Sequence, residues 1–242
     1  MILQRDAPTK IWGSSDNLNA AVTVSVLDGT TRTVLSSAKA QTNSSSGAWT
    51  ATLTKPVAAR ATSTLLATDG DGNTATLTDV AWGDVLLCGG QSNMGFGMCG
   101  SQSKTQTPQQ ALDGLPRIRF FFQAGSGPNG GSGHALCKTS SNESSVTPAL
   151  EWHEANASNA GGFSAVCMLT AAGLYHSLGG SVPVGAVESC IGGTNVAPWT
   201  PPNGSLYEQH IVPLLPMAFK AALWDQGVSS VIRLRSFLPA RH

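Results

Sequence analysis

The amino-acid sequence predicts an α/β protein in which a small β-rich segment precedes a mainly parallel sheet with helices. The first third of the chain has short alternating strand patterns and hairpin turns, whereas the remainder alternates strand, helix and strand. Where the pattern changes, an apolar run at residues 85–88 ends in two glycines and leads to Ser92 in the next turn. These observations divide the chain into a β-rich domain, 1–82, and an α/β domain, 83–242.

Composition limits the classes of function. The 242 residues include 12% charged side chains, and the formal net charge is zero. Nucleic acids and anionic membranes attract basic surfaces, so neither is expected as a partner. No apolar run has the length of a membrane span, and no signal-peptide pattern is visible. The five cysteines lack the spacing of a zinc or thioredoxin motif. Their number allows one or two disulfides and leaves at least one thiol.

The β-rich domain has the strand spacing of a β-sandwich. Alternating apolar and polar residues predict strands over 21–26, 49–53 and 63–67, and Asp28-Gly29 predicts a hairpin turn. The stretch 69–73, Asp-Gly-Asp-Gly-Asn, resembles part of a calcium loop but lacks the glycine and the distant glutamate of an EF-hand. We interpret it as a second Asp-Gly hairpin turn.

The α/β domain is predicted from its order of elements. Strands are expected over 118–122, 182–187 and 221–224, with a long surface excursion at 123–160 that is rich in Gly, Ser and Asn. A second, proline-punctuated helix is expected around 211–220. The first helix is expected at 163–178, where one helical face carries Phe163, Val166, Cys167, Thr170, Leu174 and Leu178.

Two motif matches in the excursion are rejected. Gly125–Gly130 satisfies the dinucleotide-binding fingerprint as a string, but Pro128 stands where the helix should begin and no helical pattern follows. His153-Glu154 begins a zinc-protease pattern without a second histidine at the required spacing. We therefore predict no metal and no cofactor.

A nucleophile and several hydrogen-bond donors follow the predicted parallel strands. Ser92, Gly192-Gly193 and Gln226 each lie just past a strand end, where open parallel sheets bind ligands. Acyl transfer needs a nucleophile and donors directed at the developing oxyanion. Ser92 would provide the nucleophile and its own N–H, Gly193 a second N–H, and Gln226 an amide. The alternative is that these residues only cap turns and helices.

Four ordered stretches resemble one family. Residues 90–94, Gly-Gln-Ser-Asn-Met, resemble the nucleophile block of the sialate O-acetylesterases and related carbohydrate acetylesterases of the SGNH hydrolase superfamily. The start of the chain is similar to the family's N-terminal β segment, Gly192-Gly193-Thr194 with Trp199 to its second block, and 224–227 to its third. Met94 occupies the second glycine position of a G-x-S-x-G elbow, which disfavours the ordinary α/β-hydrolase class.

The resemblance implies a fold, a reaction and a location. The fold would be an SGNH-hydrolase-like, flavodoxin-like α/β domain. Ser92 would be the catalytic nucleophile, and Gly192, Gly193 and Gln226 would bind the oxyanion or the substrate. The reaction would be hydrolysis of acetyl esters on an O-acetylated sugar or sialic acid through an acyl-enzyme. The location would be extracellular, lysosomal or vacuolar, and the oligomeric state is not implied.

The sequence departs from the family pattern towards its end. The family supplies its catalytic acid and base as D-x-x-H, whereas none of the five histidines here follows an acidic residue by three positions. Residues 228–242 contain arginines and no acidic residue. We therefore expect a C-terminally incomplete domain, with a tail altered by a frame shift or by splicing, and impaired catalysis. The alternative is a non-catalytic glycan-binding protein or an inactive fragment.

Overall fold

The computed structural model describes residues 1–98, 112, 117–126, 150–156 and 159–227. Over these ranges the protein has a mixed α/β fold, with a six-stranded mixed sheet, two smaller sheets and few helices. The predicted α/β class is confirmed at this level. The tail at 228–242 and most of the predicted excursion lie outside the described residues.

The β-rich part of the chain forms two antiparallel sheets. Strand β2 (Thr9–Ser14) pairs with β5 (Ala48–Leu53), and a four-stranded sheet has the order β4-β3-β6-β7. The strands of the second sheet are β3 (Ala21–Asp28), β4 (Val34–Gln41), β6 (Ser63–Asp69) and β7 (Thr74–Leu77). The three strands predicted from alternating residues are confirmed, and in β3 and β5 the buried residues alternate with more exposed ones.

The predicted turn at 69–73 is confirmed as a hairpin between β6 and β7. The Asp69 N–H donates to the Asn73 carbonyl at 3.0 Å, and the Gly72 N–H donates to the Asp69 carbonyl at 3.1 Å. The Asp69 carboxylate accepts hydrogen bonds from the backbone N–H groups of Asp71 and Asn73. This side chain therefore stabilises the turn that it begins.

The large sheet has the order β1-β8-β11-β9-β10, and β12 also pairs with β8. All these pairs are parallel except β9 with β10. The central strand β8 is buried along nearly its whole length, which explains its continuous apolar run. The strands are β1 (Ile2–Gln4), β8 (Ala81–Gly90), β9 (Ile118–Phe122), β10 (Trp152–Glu154), β11 (Val184–Cys190) and β12 (Ala221–Asp225).

Helix α1 (Ala165–Ser177) covers one face of this sheet. The predicted helix is confirmed, but the residues predicted to share one face are not all buried, because Val166 and Thr170 are exposed. A disulfide joins Cys167 to Cys88 on β8. The helix buries Ala165, Cys167, Met168, Ala171, Ala172 and Tyr175.

Two other predicted boundaries need correction. The strand predicted at 182–187 begins at Val184 and continues to Cys190, because it stays paired with β8 over its whole length. The predicted helix at 211–220 is instead a π-helical turn (Tyr207–Ile211) followed by a 3₁₀ turn (Val212–Leu214). Pro213 and Pro216 provide no N–H for a continuing α-helix. Another 3₁₀ turn covers Ala197–Trp199.

None of the helices in the described part of the chain is long and apolar enough to cross a membrane.

Candidate active site

The strands β8, β11 and β12 end at the same position in the register of the sheet. In the parallel registers, Gly90 at the end of β8 is opposite Cys190 at the end of β11 and Asp225 at the end of β12. Ser92 follows the first strand by two residues, and Gln226 follows the third by one. The residues predicted for the site therefore leave the sheet from one edge, although more than a hundred positions separate Ser92 from Gln226 along the chain.

Backbone hydrogen bonds connect the first residues of these loops. The Gln91 N–H donates to the Asp225 carbonyl at 2.9 Å, and the Ile191 N–H donates to the Gly90 carbonyl at 3.0 Å. These bonds extend the ladder of the sheet one residue past each strand. The first residues of these loops are consequently held in place by backbone hydrogen bonds.

Ser92 lies in a tight turn. The Gly95 N–H donates to the Gln91 carbonyl at 3.0 Å, which closes the turn around residues 92–94. Met94 is fully buried in the core beneath α1, whereas Ser92 is half-buried. The turn is thus anchored by Met94 while Ser92 retains access to solvent.

Gly90 makes this turn possible. Its φ of +134° belongs to a region that glycine adopts and other residues avoid. A Cβ added at Gly90 would lie 2.0 Å from the Asp225 carbonyl oxygen. Position 90 therefore requires glycine for both conformation and close approach.

Glycine at position 193, in the loop after β11, has a different cause from glycine at position 90. Gly192 is half-buried and Gly193 is exposed. Gly193 has a φ of +76°, and no atom of the described chain lies within 4 Å of a Cβ added there. The sequence led us to expect glycine at 193 because a side chain would obstruct its N–H. The structure instead attributes the glycine to left-handed backbone conformation.

The side chain of Gln226 connects two of the loops. Its Nε2 donates to the Thr194 carbonyl at 2.9 Å. Its Oε1 is buried and has no hydrogen-bond partner among the described residues. An amide nitrogen carries two N–H groups, so this bond leaves one for another acceptor.

Three aromatic rings pack on the same side of the site. The Trp199 indole donates to Thr194 Oγ1 at 3.1 Å, and its ring contacts Trp224 edge-on at a centroid distance of 5.2 Å and His210 at 5.8 Å. Trp199 is buried, whereas Trp224 is 44% exposed. Trp224 lies across Gly89, where a Cβ would come within 2.4 Å of its ring. Trp224 is therefore a fixed indole with one region open to solvent.

The sequence reasoning did not identify His210. Its side chain is 5% exposed, and Nδ1 has no hydrogen-bond partner within the described ranges. Burial lowers the pKa of His210 below its ordinary value of 6.5, which favours the neutral imidazole. The Ser189 hydroxyl donates to the His210 carbonyl at 2.9 Å and holds the π-helical turn on the sheet. No periodic pattern marks such a turn, so the sequence contained no signal for this residue.

The opposite face of the sheet contains the cysteines. Cys88 and Cys167 form a disulfide, and Cys190 remains a buried thiol. Cys88 and Cys167 thus form one of the disulfides that the number of cysteines allows, while Cys99 and Cys137 lie outside the described residues. Among the side chains that the structure describes, no group of three or more His, Cys, Asp or Glu is arranged to hold a metal ion.

No model of a known protein family matches the chain, and no curated protein matches it. Among solved structures, the chain is similar to a carbohydrate acetylesterase from Xanthomonas citri, with 30% sequence identity and a TM-score of 0.68. The similarity covers 94% of this chain and 49% of that chain. The chain therefore spans about half the length of the acetylesterase. The predicted resemblance to carbohydrate acetylesterases is supported at this level.

A second similar structure is a protein from Arabidopsis thaliana, with 19% identity and a TM-score of 0.36. That similarity covers 62% of this chain and 59% of that chain, and it supports no functional argument.

Proposed function

We propose that the protein is a carbohydrate O-acetylesterase that uses Ser92 as its nucleophile. The observation that supports this most directly is the level arrangement of Gly90, Cys190 and Asp225, because it brings the loops bearing Ser92, the paired glycines and Gln226 to one edge of the sheet. The 30% identity to a carbohydrate acetylesterase supports the choice of reaction.

The proposed reaction has two steps. The Ser92 oxygen attacks the acetyl carbonyl, its proton passes to a base, and the tetrahedral intermediate expels the sugar hydroxyl. Water then attacks the acetyl-serine, releasing acetate and restoring the hydroxyl. In both steps negative charge develops on the former carbonyl oxygen, so N–H donors directed at that oxygen lower the barrier.

The proposed donors are the Ser92 N–H, the N–H groups of Gly192 and Gly193, and the Gln226 amide. Gly193 has the left-handed conformation that turns successive N–H groups towards one side, as in backbone anion-binding nests. Gln226 is held in place by its bond to the Thr194 carbonyl. A donor fixed before the reaction needs no reorganisation when charge develops.

We assign no residue as the catalytic base that removes the Ser92 proton. A serine hydroxyl is a weak nucleophile without a group that removes its proton. The D-x-x-H of the family has no counterpart among the chain's five histidines. We accordingly propose that Ser92 acts in the 242-residue chain without a protein base, with water accepting its proton, so that acetyl esters are hydrolysed slowly.

The same observation favours a second candidate function, which is glycan binding without turnover. Glycine N–H groups and an amide at this edge of the sheet would bind a polar ligand whether or not a base is present. Glycan binding by a chain that releases no acetate from any acetylated sugar would favour this second function.

The proposal also includes the type of fold, the substrate and the location of the protein. We propose an SGNH-hydrolase-like arrangement for the α/β domain and an acetylated sugar, with sialic acid as one candidate, for the substrate. The half-exposed indole of Trp224 beside Gln226 supports a sugar substrate, because aromatic side chains commonly line ligand sites and pack against apolar ring faces. An extracellular, lysosomal or vacuolar location follows from the same resemblance.

The test is acetate release from an acetylated xylo-oligosaccharide, an acetylated sialic acid and p-nitrophenyl acetate. Wild type is compared with Ser92→Ala and with Ser45→Ala, a matched change at an exposed turn of the β-rich domain. We expect Ser92→Ala to remove all hydrolysis above background and Ser45→Ala to leave it unchanged. A rate that does not depend on Ser92 would refute the proposal.

A further inference from the structure

A fully buried carboxyl group connects β11 to helix α1. Glu188 Oε2 accepts a hydrogen bond from the backbone N–H of Ser164 at 2.8 Å, and Oε1 accepts one from the Cys190 thiol at 3.2 Å. Glu188 is 0% exposed and lies opposite Cys88 on β8 in the parallel register. Acidic side chains are seldom fully buried, because their desolvation is costly unless specific partners compensate it.

The bond to Ser164 completes a helix cap from outside the helix. Ser164 is the N-cap of α1, and its hydroxyl accepts from the Cys167 N–H at 3.1 Å. In a capping box, a glutamate at the third helical position binds the N–H of the N-cap residue. That position is Cys167, which is used for the disulfide, and the first turn of α1 contains no acidic residue. Glu188 provides the missing carboxylate from the neighbouring strand.

The capped residue is also joined to the segment that carries Ser92. The Ala165 N–H donates to the Phe96 carbonyl at 2.8 Å, and the Met98 N–H donates to the Phe163 carbonyl at 3.0 Å. Gly97 forms an antiparallel bridge with Ser164 between these two bonds.

The side chain of Ser164 reaches the same segment. Its hydroxyl lies 3.5 Å from the sulfur of Met94, the buried anchor of the turn. Residues 94–98 are therefore attached to Ser164 by both backbone and side chain.

We infer that Glu188 is a positioning residue for Ser92. Its carboxylate holds Ser164, Ser164 and its neighbours hold residues 94–98, and that segment fixes the turn at 91–95. Removing the carboxylate leaves the Ser164 N–H buried without this acceptor and loosens the attachment of the turn. The catalytic consequence rests on the proposed function of Ser92, whereas the structural consequence does not.

The structural consequence is tested by amide hydrogen exchange. The Gly95 and Met98 N–H groups report on the turn and on its attachment, because both are hydrogen-bonded there. In Glu188→Met, which keeps the volume and removes the acceptor, these amides should exchange about tenfold faster than in wild type. In Glu188→Gln, whose side-chain oxygen still accepts from Ser164, the rates should stay within about twofold.

A stability-matched control separates local loosening from general destabilisation. Val24→Ala creates a cavity in the β-rich domain, where Val24 is 0% exposed. It should leave exchange at Gly95 and Met98 unchanged. If Glu188→Met does not fold, the smaller Glu188→Leu serves in its place, since it also removes the acceptor of the Ser164 N–H. Unchanged exchange in the variant that folds would overturn the inference.

The catalytic consequence is read from the rate at which a fluorophosphonate labels Ser92. We expect labelling about tenfold slower in Glu188→Met, close to wild type in Glu188→Gln and unchanged in Val24→Ala. Faster exchange with an unchanged labelling rate would overturn the positioning role. If the wild type is not labelled, the proposed function of Ser92 fails, and the exchange rates alone decide whether Glu188 holds the turn.

Discussion

The Gln226 side-chain amide donates a hydrogen bond to the Thr194 carbonyl at 2.9 Å. This bond joins the loop after β12 to the loop after β11, which are 32 residues apart in the chain. The bond holds the Gln226 amide next to the loop that contains Gly192 and Gly193, at the same edge of the sheet as Ser92. A structural bond and a proposed catalytic donor are thus combined in one side chain.

Gln226→Ala tests that combination. Loss of one oxyanion donor typically lowers kcat by about 10²–10³, with little change in KM, because the bond strengthens in the transition state. We expect this split for p-nitrophenyl acetate. The melting temperature is measured in parallel, because the bond to Thr194 is lost as well. A kcat within twofold of wild type in a folded variant would remove Gln226 from the proposed donors.

Gly90→Ala should destabilise the protein by more than about 3 kcal/mol, because it adds backbone strain to a steric overlap with the Asp225 carbonyl. Gly72→Ala is the matched control. Gly72 also has a positive φ, +85°, but no described atom lies within 4 Å of an added Cβ. It should cost about 1–2 kcal/mol. Urea denaturation measures both, and equal losses would contradict the steric part of the explanation.

Breaking the disulfide should lower the free energy of unfolding by about 4 kcal/mol, since Cys88 and Cys167 are 79 residues apart in the chain. Cys88→Ala, Cys167→Ala and the double variant should lose similar amounts, because each breaks the same crosslink. Denaturation with and without reductant measures this. A reductant that destabilises the double variant as much as the wild type would contradict the assignment.

Stability should fall as the pH is lowered through the range just below 6.5, because burial depresses the pKa of His210 in the folded state. In this range the unfolded chain binds a proton that the folded protein does not. Stability therefore rises with pH, by at most about 1.4 kcal/mol per pH unit for one proton.

His210→Leu should reduce this slope by the contribution of one proton. His176→Leu, at an exposed position of α1, should retain it. The comparison uses urea denaturation between pH 5 and pH 8. A His210→Leu variant with the full wild-type slope would show that another group causes the dependence.

Trp224→Ala should raise KM about tenfold for an acetylated oligosaccharide and leave kcat/KM for p-nitrophenyl acetate unchanged, because only the sugar would pack against the indole. Trp12→Ala is the control. Trp12 is 49% exposed on the β-rich part of the chain, close to the 44% of Trp224. Equal effects of both substitutions, or a loss confined to the aryl ester, would contradict a sugar-binding function of Trp224.

The parts of the fold with strong local signals were predictable from the sequence. The alternation in β3 and β5 follows from one buried face, and the unbroken apolar run of β8 follows from burial on both faces. Because that run ends at paired glycines, its carboxyl end and the turn bearing Ser92 were predicted correctly.

The remaining features depend on contacts that no local pattern encodes. Apolar residues lie on both sides of α1, since Val166 and Leu169 are exposed while Met168 is buried, so periodicity did not identify the buried face. The carboxylate that binds the N-cap residue of α1 comes from Glu188 on β11. The sequence of the helix itself contains no capping box that would reveal it. His210 lies in a short π-helical turn, and Pro213 and Pro216 prevent an α-helix from continuing after it.

The most direct test of the central claim, that Ser92 is the nucleophile, is mass spectrometry after prolonged treatment with a fluorophosphonate. The account predicts a single phosphonylated residue, Ser92, with no label in Ser92→Ala and an unchanged label in Ser45→Ala. Absence of label from Ser92, or label on another serine at an equal rate, would contradict it.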